Sequence, residues 1–280
     1  MKSIGGVITA LITPFKNQDV DYPSLERLIK FQLKSGVQGF VINGTTAESP
    51  TLETAEKNEI FNFVRARVPN EIPLIMGTGS NSTQKTIEES IAAEKLGADA
   101  ILVVVPYYNK PPQRGLVEHF KKVADSVSIP TILYNVPSRT ITSLELESIQ
   151  QLSLHPKIIG IKEASGNVEF AREIRQKCGK NFLVLSGDDG TYDEFMEVGG
   201  DGVISVASHV VPEVMLQRSA RANRDLIDLL FVEANPIPVK KALHLMGIID
   251  SPECRLPLVT LSDANTEKIL RVLMFKGLVK

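Results

Sequence analysis

The hydrophobic pattern of this chain changes period again and again. Eight short runs, at 7–12, 39–43, 74–77, 100–105, 131–134, 158–161, 183–185 and 202–206, are rich in β-branched residues, and most are apolar throughout rather than alternating. A strand without a polar side is one covered on both faces, as in a parallel sheet packed under helices. Between the runs the period lengthens. Leu25, Leu28, Ile29 and Leu33 share one face of a helix that stops at Gly36; Ile60, Phe63, Val64 and Val68 mark another that stops before Pro69; Ile87, Ile91, Ala92 and Leu96 mark a third, ended by Gly97. The joints repeat as well: Gly36-Val37-Gln38-Gly39, Gly97-Ala98-Asp99-Ala100 and Gly199-Gly200-Asp201-Gly202 each end a helix and open a strand. A strand–helix unit recurring eight times, at spacings of roughly 20–35 residues, predicts an α/β fold, a (β/α)8 TIM barrel. A doubly wound open sheet is the competing layout, but it usually has fewer units and a glycine fingerprint after its first strand, which this chain lacks.

After Ser208 the strand signal ends. Segments 211–232, 238–247 and 263–276 read as helices, separated by Asn235-Pro236 and Ser251-Pro252. The expected division is a barrel carrying the active site over 1–219 and a small C-terminal helical region over 220–280. No low-complexity linker separates them, so the second should pack on the first. The charged stretch 218–228 mixes signs and reads as a solvated helix face.

Composition narrows the function classes. A chain of 280 residues suits one barrel with a small appendage, and 43% hydrophobic with 23% charged residues allows a large core. A net charge of −2 leaves no basic field to attract nucleic acid or an anionic membrane. Two cysteines, Cys178 and Cys254, are too few for a disulfide framework or a thiolate metal site and suit a reducing cytoplasm. No apolar run reaches the ~18 residues of a membrane span. Lys2 and the run 4–12 mimic a short signal core, but no small-residue cleavage site follows and Pro14-Phe15-Lys16 intervenes, so a buried first strand is expected.

A barrel of this kind does its chemistry at the carboxyl ends of its strands. Lys162 ends the otherwise apolar run Ile158-Ile159-Gly160-Ile161. A lysine among apolar walls is desolvated, which disfavours the ammonium form and frees the amine to attack a carbonyl. The plainer reading is an ion pair with a carboxylate; Glu163 is a poor partner because adjacent strand residues point to opposite faces. Three of the five tyrosines, Tyr107, Tyr108 and Tyr134, fall at strand ends, where a phenol either relays a proton or packs on a rim. Gly44-Thr45-Thr46 places two hydroxyls and several N–H groups in one turn, either an anion-binding nest or an ordinary helix cap. Arg139, behind Pro137, reads as a fork for a carboxylate or as a surface residue. Asp188-Asp189 reads as a cation site or as a strand-end cap. The four histidines, His119, His155, His209 and His244, show no metal-ligand spacing, with His119 and His244 expected as surface or capping residues on helices. No Walker loop, GxGxxG or GxSxG occurs, and no metal is called for.

Taken together, "GTTAES", "VVPYYNKP", "ILYNVPSR", "IIGIKEASGN", "LSGDD", "GGDGVISV" and "NPIPVKKAL" resemble the dihydrodipicolinate synthase family, within the pyruvate-dependent class I aldolases that also include N-acetylneuraminate lyase. The resemblance spans almost the whole chain. It implies condensation of pyruvate with aspartate semialdehyde to 4-hydroxy-tetrahydrodipicolinate, on the route to lysine and diaminopimelate, without a cofactor. By the resemblance Lys162 matches the Schiff-base lysine, Tyr134 the proton-shuttling tyrosine, and Thr45 and Tyr108 its relay partners. Tyr108 would enter the site of a neighbouring subunit, so a homodimer is the minimal active unit and a tetramer is compatible. Thr46 matches the residue that holds the pyruvate carboxylate, Ile204 and Gly187 line the same pocket, and Arg139 matches the arginine that binds the aldehyde's carboxylate. Another lyase of the same family, or a keto-acid-binding homologue without turnover, is the alternative.

Three departures from the family pattern stand out. Ala47 replaces the glycine usual in "GTTGE", a strain if that position needs positive φ. The stretch 215–231 is shorter than usual by about one helix. The allosteric lysine site matches Ser49, Asn81, Tyr107, Lys57 and Lys85, and two ammonium groups there should repel a cationic effector unless both simply extend into solvent.

Overall fold

Each of the eight apolar runs forms a strand in the computed structural model, which describes residues 2–279. They are β1 Gly6–Ala10, β2 Gly39–Ile42, β3 Leu74–Gly77, β4 Ala100–Val104, β5 Thr131–Asn135, β6 Ile158–Glu163, β7 Leu183–Ser186 and β8 Gly202–Ser205. All pair in parallel with their sequence neighbours, and β1 closes on β8 in the register Gly6↔Gly202 to Thr9↔Ser205. The helices between them are α1 Tyr22–Ser35, α2 Thr54–Arg65, α3 Thr83–Leu96, α4 Gln113–Asp125, α5 Leu146–Ser153, α6 Val168–Cys178, α7 Tyr192–Glu197 and, after the last strand, α8 Pro212–Leu216. The fold is the TIM barrel that the repeat predicts.

Two cores explain why the strands carry apolar residues on both sides. Ile8, Val41, Ile75, Leu102, Ile132, Leu185 and Ile204 fill the barrel interior. Their strand neighbours Val7, Phe40, Met76, Ile101, Leu133 and Val203 join the outer layer with Leu28, Phe61, Phe120 and Ile174 of the helices. Alternation along a strand therefore sorts residues between two buried layers instead of between core and water. The helix ends use the expected chemistry: the Asp21 side chain accepts from Ser24 N at the start of α1, and Gly36 ends that helix in the left-handed region at φ 88°.

Past the barrel, α9 Arg224–Leu229, α10 Ile237–Leu245 and α11 Asp263–Phe275 follow. The single helix expected over 211–232 is not one helix. Arg218 adopts φ 53°, and the Asp193 carboxylate accepts the N–H groups of Ala220 and Arg221. A side chain from α7 thus takes the donors that would have continued the helix. A two-residue antiparallel ribbon, Phe15–Lys16 with Asp19–Val20, links β1 to α1, and Phe15 also bridges to Glu253. Among the described residues no helix is long and apolar enough to cross a membrane.

Two histidines differ from the sequence expectation or add to it. His119 lies on α4 as expected but is buried rather than at the surface; its Nδ1 meets Thr83 Oγ1 at 3.0 Å, and burial pushes its imidazole down to about 4. His209 is wholly buried between the first and last barrel loops. Its Nδ1 lies 2.8 Å from Val206 O and its Nε2 accepts from Ile12 N–H, and burial pushes it down to about 4 as well.

Candidate active site

The carboxyl ends of the strands gather most of the candidate residues. Tyr134 on β5 and Lys162 on β6 are register partners, so both point to the same side of the sheet. That side is the interior: Tyr134 packs with Leu185, Ile132 and Ile204. Lys162 is buried, with its Nζ 4.3 Å from the centroid of the Tyr134 ring. Among the described residues Lys162 pairs with no carboxylate, so the ion-pair reading fails. Glu163 points the other way, accepting from Asn135 Nδ2 at 2.7 Å and from Ser165 N–H at 2.6 Å; burial pushes its carboxyl upward, and these bonds oppose the shift.

Gly187, just past β7, makes room for the lysine. A Cβ there would lie 2.8 Å from Lys162 Cε and 2.5 Å from the Cβ of Ala164. Any larger residue would displace the amine's stem. Ile204, on β8, is buried in the same interior layer.

The loop after β2 forms a 3-10 turn over Thr45–Ala47. Thr46 is buried, and its Oγ1 accepts from Asn235 Nδ2 at 2.9 Å; Thr45 is partly exposed. The strain expected at Ala47 is absent. Positive φ falls on the next residue, Glu48, at 57°, so alanine sits in a conformation it readily adopts.

Arg139 lies exposed in the helical turn Pro137–Thr140, and its Nη2 donates to the carbonyl of Asn235 at 3.4 Å. Tyr108 is not brought into this chain's own cluster: it is 87% exposed, on a loop residue with φ 74°. Among the described residues no hydrogen bond joins the hydroxyls of Thr45, Tyr108 and Tyr134.

The Asp188-Asp189 carboxylates are taken up by backbone N–H groups. Asp188 Oδ1 accepts from Thr191 N–H at 2.9 Å, and Asp189 Oδ2 accepts from Val206 and Ala207 N–H at 2.9 and 2.8 Å. Among the described residues no group of three or more His, Cys, Asp or Glu side chains stands ready for a metal ion.

At the residues matched to an effector site, Lys57 is not spread into solvent; its Nζ lies 3.8 Å from Glu89 Oε1. Lys85 is exposed on the first turn of α3, Tyr107 is 40% exposed, Ser49 opens a 3-10 turn, and the Asn81 carbonyl accepts from Asn109.

Three residues of this neighbourhood escaped the sequence reading: Asn235, Glu48 and Lys240. Lys240 forms a buried ion pair with Glu48, both side chains fully inaccessible. A signal for it existed. Ile237, Lys240 and Leu243 recur at i, i+3 and i+6 on the buried face of α10, and a charge on an apolar stripe demands a partner.

Fold and mouth together define a barrel protein with one buried amine facing one phenol at the carboxyl ends of its strands. Comparison with known proteins makes the class specific. Residues 3–275 match the Dihydrodipicolinate synthetase family. The chain is 60% identical over 283 aligned residues to the 4-hydroxy-tetrahydrodipicolinate synthase of Bdellovibrio bacteriovorus, with 96% of this chain and 97% of that one covered. It superposes with a TM-score of 0.96 on the dihydrodipicolinate synthase of Thermotoga maritima, 40% identical, covering 98% of this chain and 99% of that one. The chloride-inhibited dihydrodipicolinate synthase of Acinetobacter baumannii, solved in complex with pyruvate, gives 0.94 at 40% identity, covering 99% and 100%. The chain belongs to the dihydrodipicolinate synthetase family.

Proposed function

We propose that this chain condenses pyruvate with L-aspartate 4-semialdehyde to 4-hydroxy-tetrahydrodipicolinate, the first committed step toward lysine and diaminopimelate, through an imine on Lys162. The observation that carries the reading is a buried, carboxylate-free lysine on β6 facing Tyr134, in a chain 60% identical to a synthase of that name.

The chemistry runs as follows. The free amine of Lys162 attacks the keto carbon of pyruvate, and loss of one water leaves an imine. The imine draws electrons from the methyl group, which loses a proton to give an enamine. The enamine carbon bonds to the aldehyde carbon, whose oxygen takes up a proton and becomes the hydroxyl. The amino group of the same substrate then attacks the imine carbon and closes the ring, releasing Lys162. One water leaves overall, and no electrons are exchanged. Tyr134 shuttles protons with Thr45 and a partner's Tyr108; Thr46 holds the pyruvate carboxylate; Gly187 and Ile204 shape the pocket; Arg139 receives the carboxylate of the aldehyde.

The working unit is at least a homodimer, because Tyr108 stands in solvent on a single chain. The protein works in a reducing cytoplasm, in keeping with its two free cysteines. Lys57 and Lys85 leave the effector site unfit for free lysine, so millimolar lysine leaves activity unchanged; strong inhibition in a lysine titration would refute this.

Borohydride reduction in the presence of pyruvate tests the central claim. A mass increment on the peptide carrying Lys162 is expected. No adduct, or one on another lysine, defeats the mechanism.

A further inference from the structure

Two buried contacts join the C-terminal region to the turn that would receive a keto acid. Asn235 Nδ2 donates to Thr46 Oγ1 at 2.9 Å. Five residues further on, Lys240 pairs with Glu48, the residue that ends the same turn. Lys240 Nζ also donates to the carbonyl of Glu253 at 2.7 Å, and the second carboxylate oxygen of Glu48 accepts from Arg255 N–H at 2.9 Å. The turn is thus gripped at its middle and at its end by one short segment, 235–240. The carbonyl of Asn235 in addition accepts from Arg139. One residue therefore touches both side chains read as carboxylate receivers.

A threonine hydroxyl has one proton to give. If Thr46 Oγ1 accepts from the amide of Asn235, its own O–H is left for another acceptor. A keto-acid carboxylate is an acceptor only. The amide thereby fixes the polarity of the turn, and the ion pair behind it fixes its place. We infer that Asn235, held by the Lys240–Glu48 pair, is a positioning residue that turns the Thr46 hydroxyl toward the substrate carboxylate. The inference rests on the proposed role of Thr46.

The test compares Asn235→Asp with Asn235→Ala by borohydride trapping of pyruvate alone, with thermal unfolding to show that both variants fold. Asp keeps the shape of Asn but only accepts, so Thr46 must turn its proton away from the substrate and a carboxylate faces a carboxylate. Ala removes the bond but leaves the hydroxyl free. Half-saturating pyruvate should rise about tenfold or more in Asn235→Asp and by less in Asn235→Ala, with the maximal trapping rate within about threefold of the parent in both. A residue that merely fills space gives the opposite order, since Ala leaves a hole and Asp does not. An effect of Ala equal to or larger than that of Asp overturns the inference. So does an unchanged Asn235→Asp, which would mean that Thr46 donates to residue 235. If the parent chain itself traps no pyruvate, the proposed function falls and this inference with it; if the parent traps and Asn235→Asp is indifferent, only the inference falls.

Discussion

The barrel mouth and the C-terminal clamp each bury one lysine, and the two sites are alike in almost everything but their use of charge. Lys162 lies 4.3 Å from the ring centroid of Tyr134, and Lys240 lies 4.2 Å from that of Phe15. Both are buried. Lys240, however, has Glu48 and the carbonyl of Glu253 as acceptors, whereas Lys162 has no carboxylate among the described residues. Burial pushes the Lys240 ammonium down, and Glu48 opposes the shift. An amine held by a carboxylate and a carbonyl is a strut. An amine with no carboxylate beside it is free to form a bond. Burial is common to the two lysines; the counter-charge is not.

The largest test of this contrast is Lys162→Ala. Condensation should fall at least about a thousandfold while the barrel stays folded, because a covalent step has no substitute. Undiminished turnover would refute the assignment. Borohydride with pyruvate should leave Lys240 unlabelled in the parent.

Lys240→Met should instead act on stability. It strands a buried carboxylate and should cost about 3–5 kcal/mol in denaturant unfolding, with a good part regained in the Glu48→Gln/Lys240→Met double variant. A neutral single variant would show that the pair holds nothing.

His209 gives a third buried group held by internal partners, and its effect is a pH dependence. Its ordinary value of 6.5 falls to about 4 in the folded chain. As pH drops below 6.5 the unfolded chain takes the proton first, so stability present above pH 6.5 is lost progressively toward pH 4, on the order of 3 kcal/mol. Glu163 and Asp189, pushed upward by burial, contribute a slope of opposite sign. The contribution of His209 is therefore read as the difference between the parent and His209→Gln in unfolding curves taken from pH 7 to 4; identical pH profiles would count against it.

The smallest effect belongs to the rim. Arg139→Leu should raise KM for the aldehyde about tenfold and leave pyruvate trapping unchanged, since an exposed arginine acts on one carboxylate only. Altered trapping would move Arg139 into the pyruvate site.

What could be read from the chain follows the range of the forces involved. The strands were visible because each is covered on two sides and needs no partner's identity to look apolar. Lys162 was visible because it is the polar end of such a run. The Lys240–Glu48 pair spans 192 residues and the Asn235–Thr46 bond 189, so no local pattern joins their members. The break at Arg218 was hidden for the same reason: Asp193, which takes the helix's donors, lies on another helix. His119 shows the reverse error, since a titratable residue on a helix looks exposed until the neighbouring helix is in place.

The grip of segment 235–240 on the first mouth loop has a temporal side. The ribosome makes the turn of Thr46 and Glu48 early and its anchors, Asn235 and Lys240, late. A nascent chain stalled after its eighth strand already carries Lys162, yet the turn at Thr46 still lacks Asn235 and Lys240. A chain shortened before residue 235 would lack both contacts on the Thr46 turn, while every strand of the barrel would already have been made.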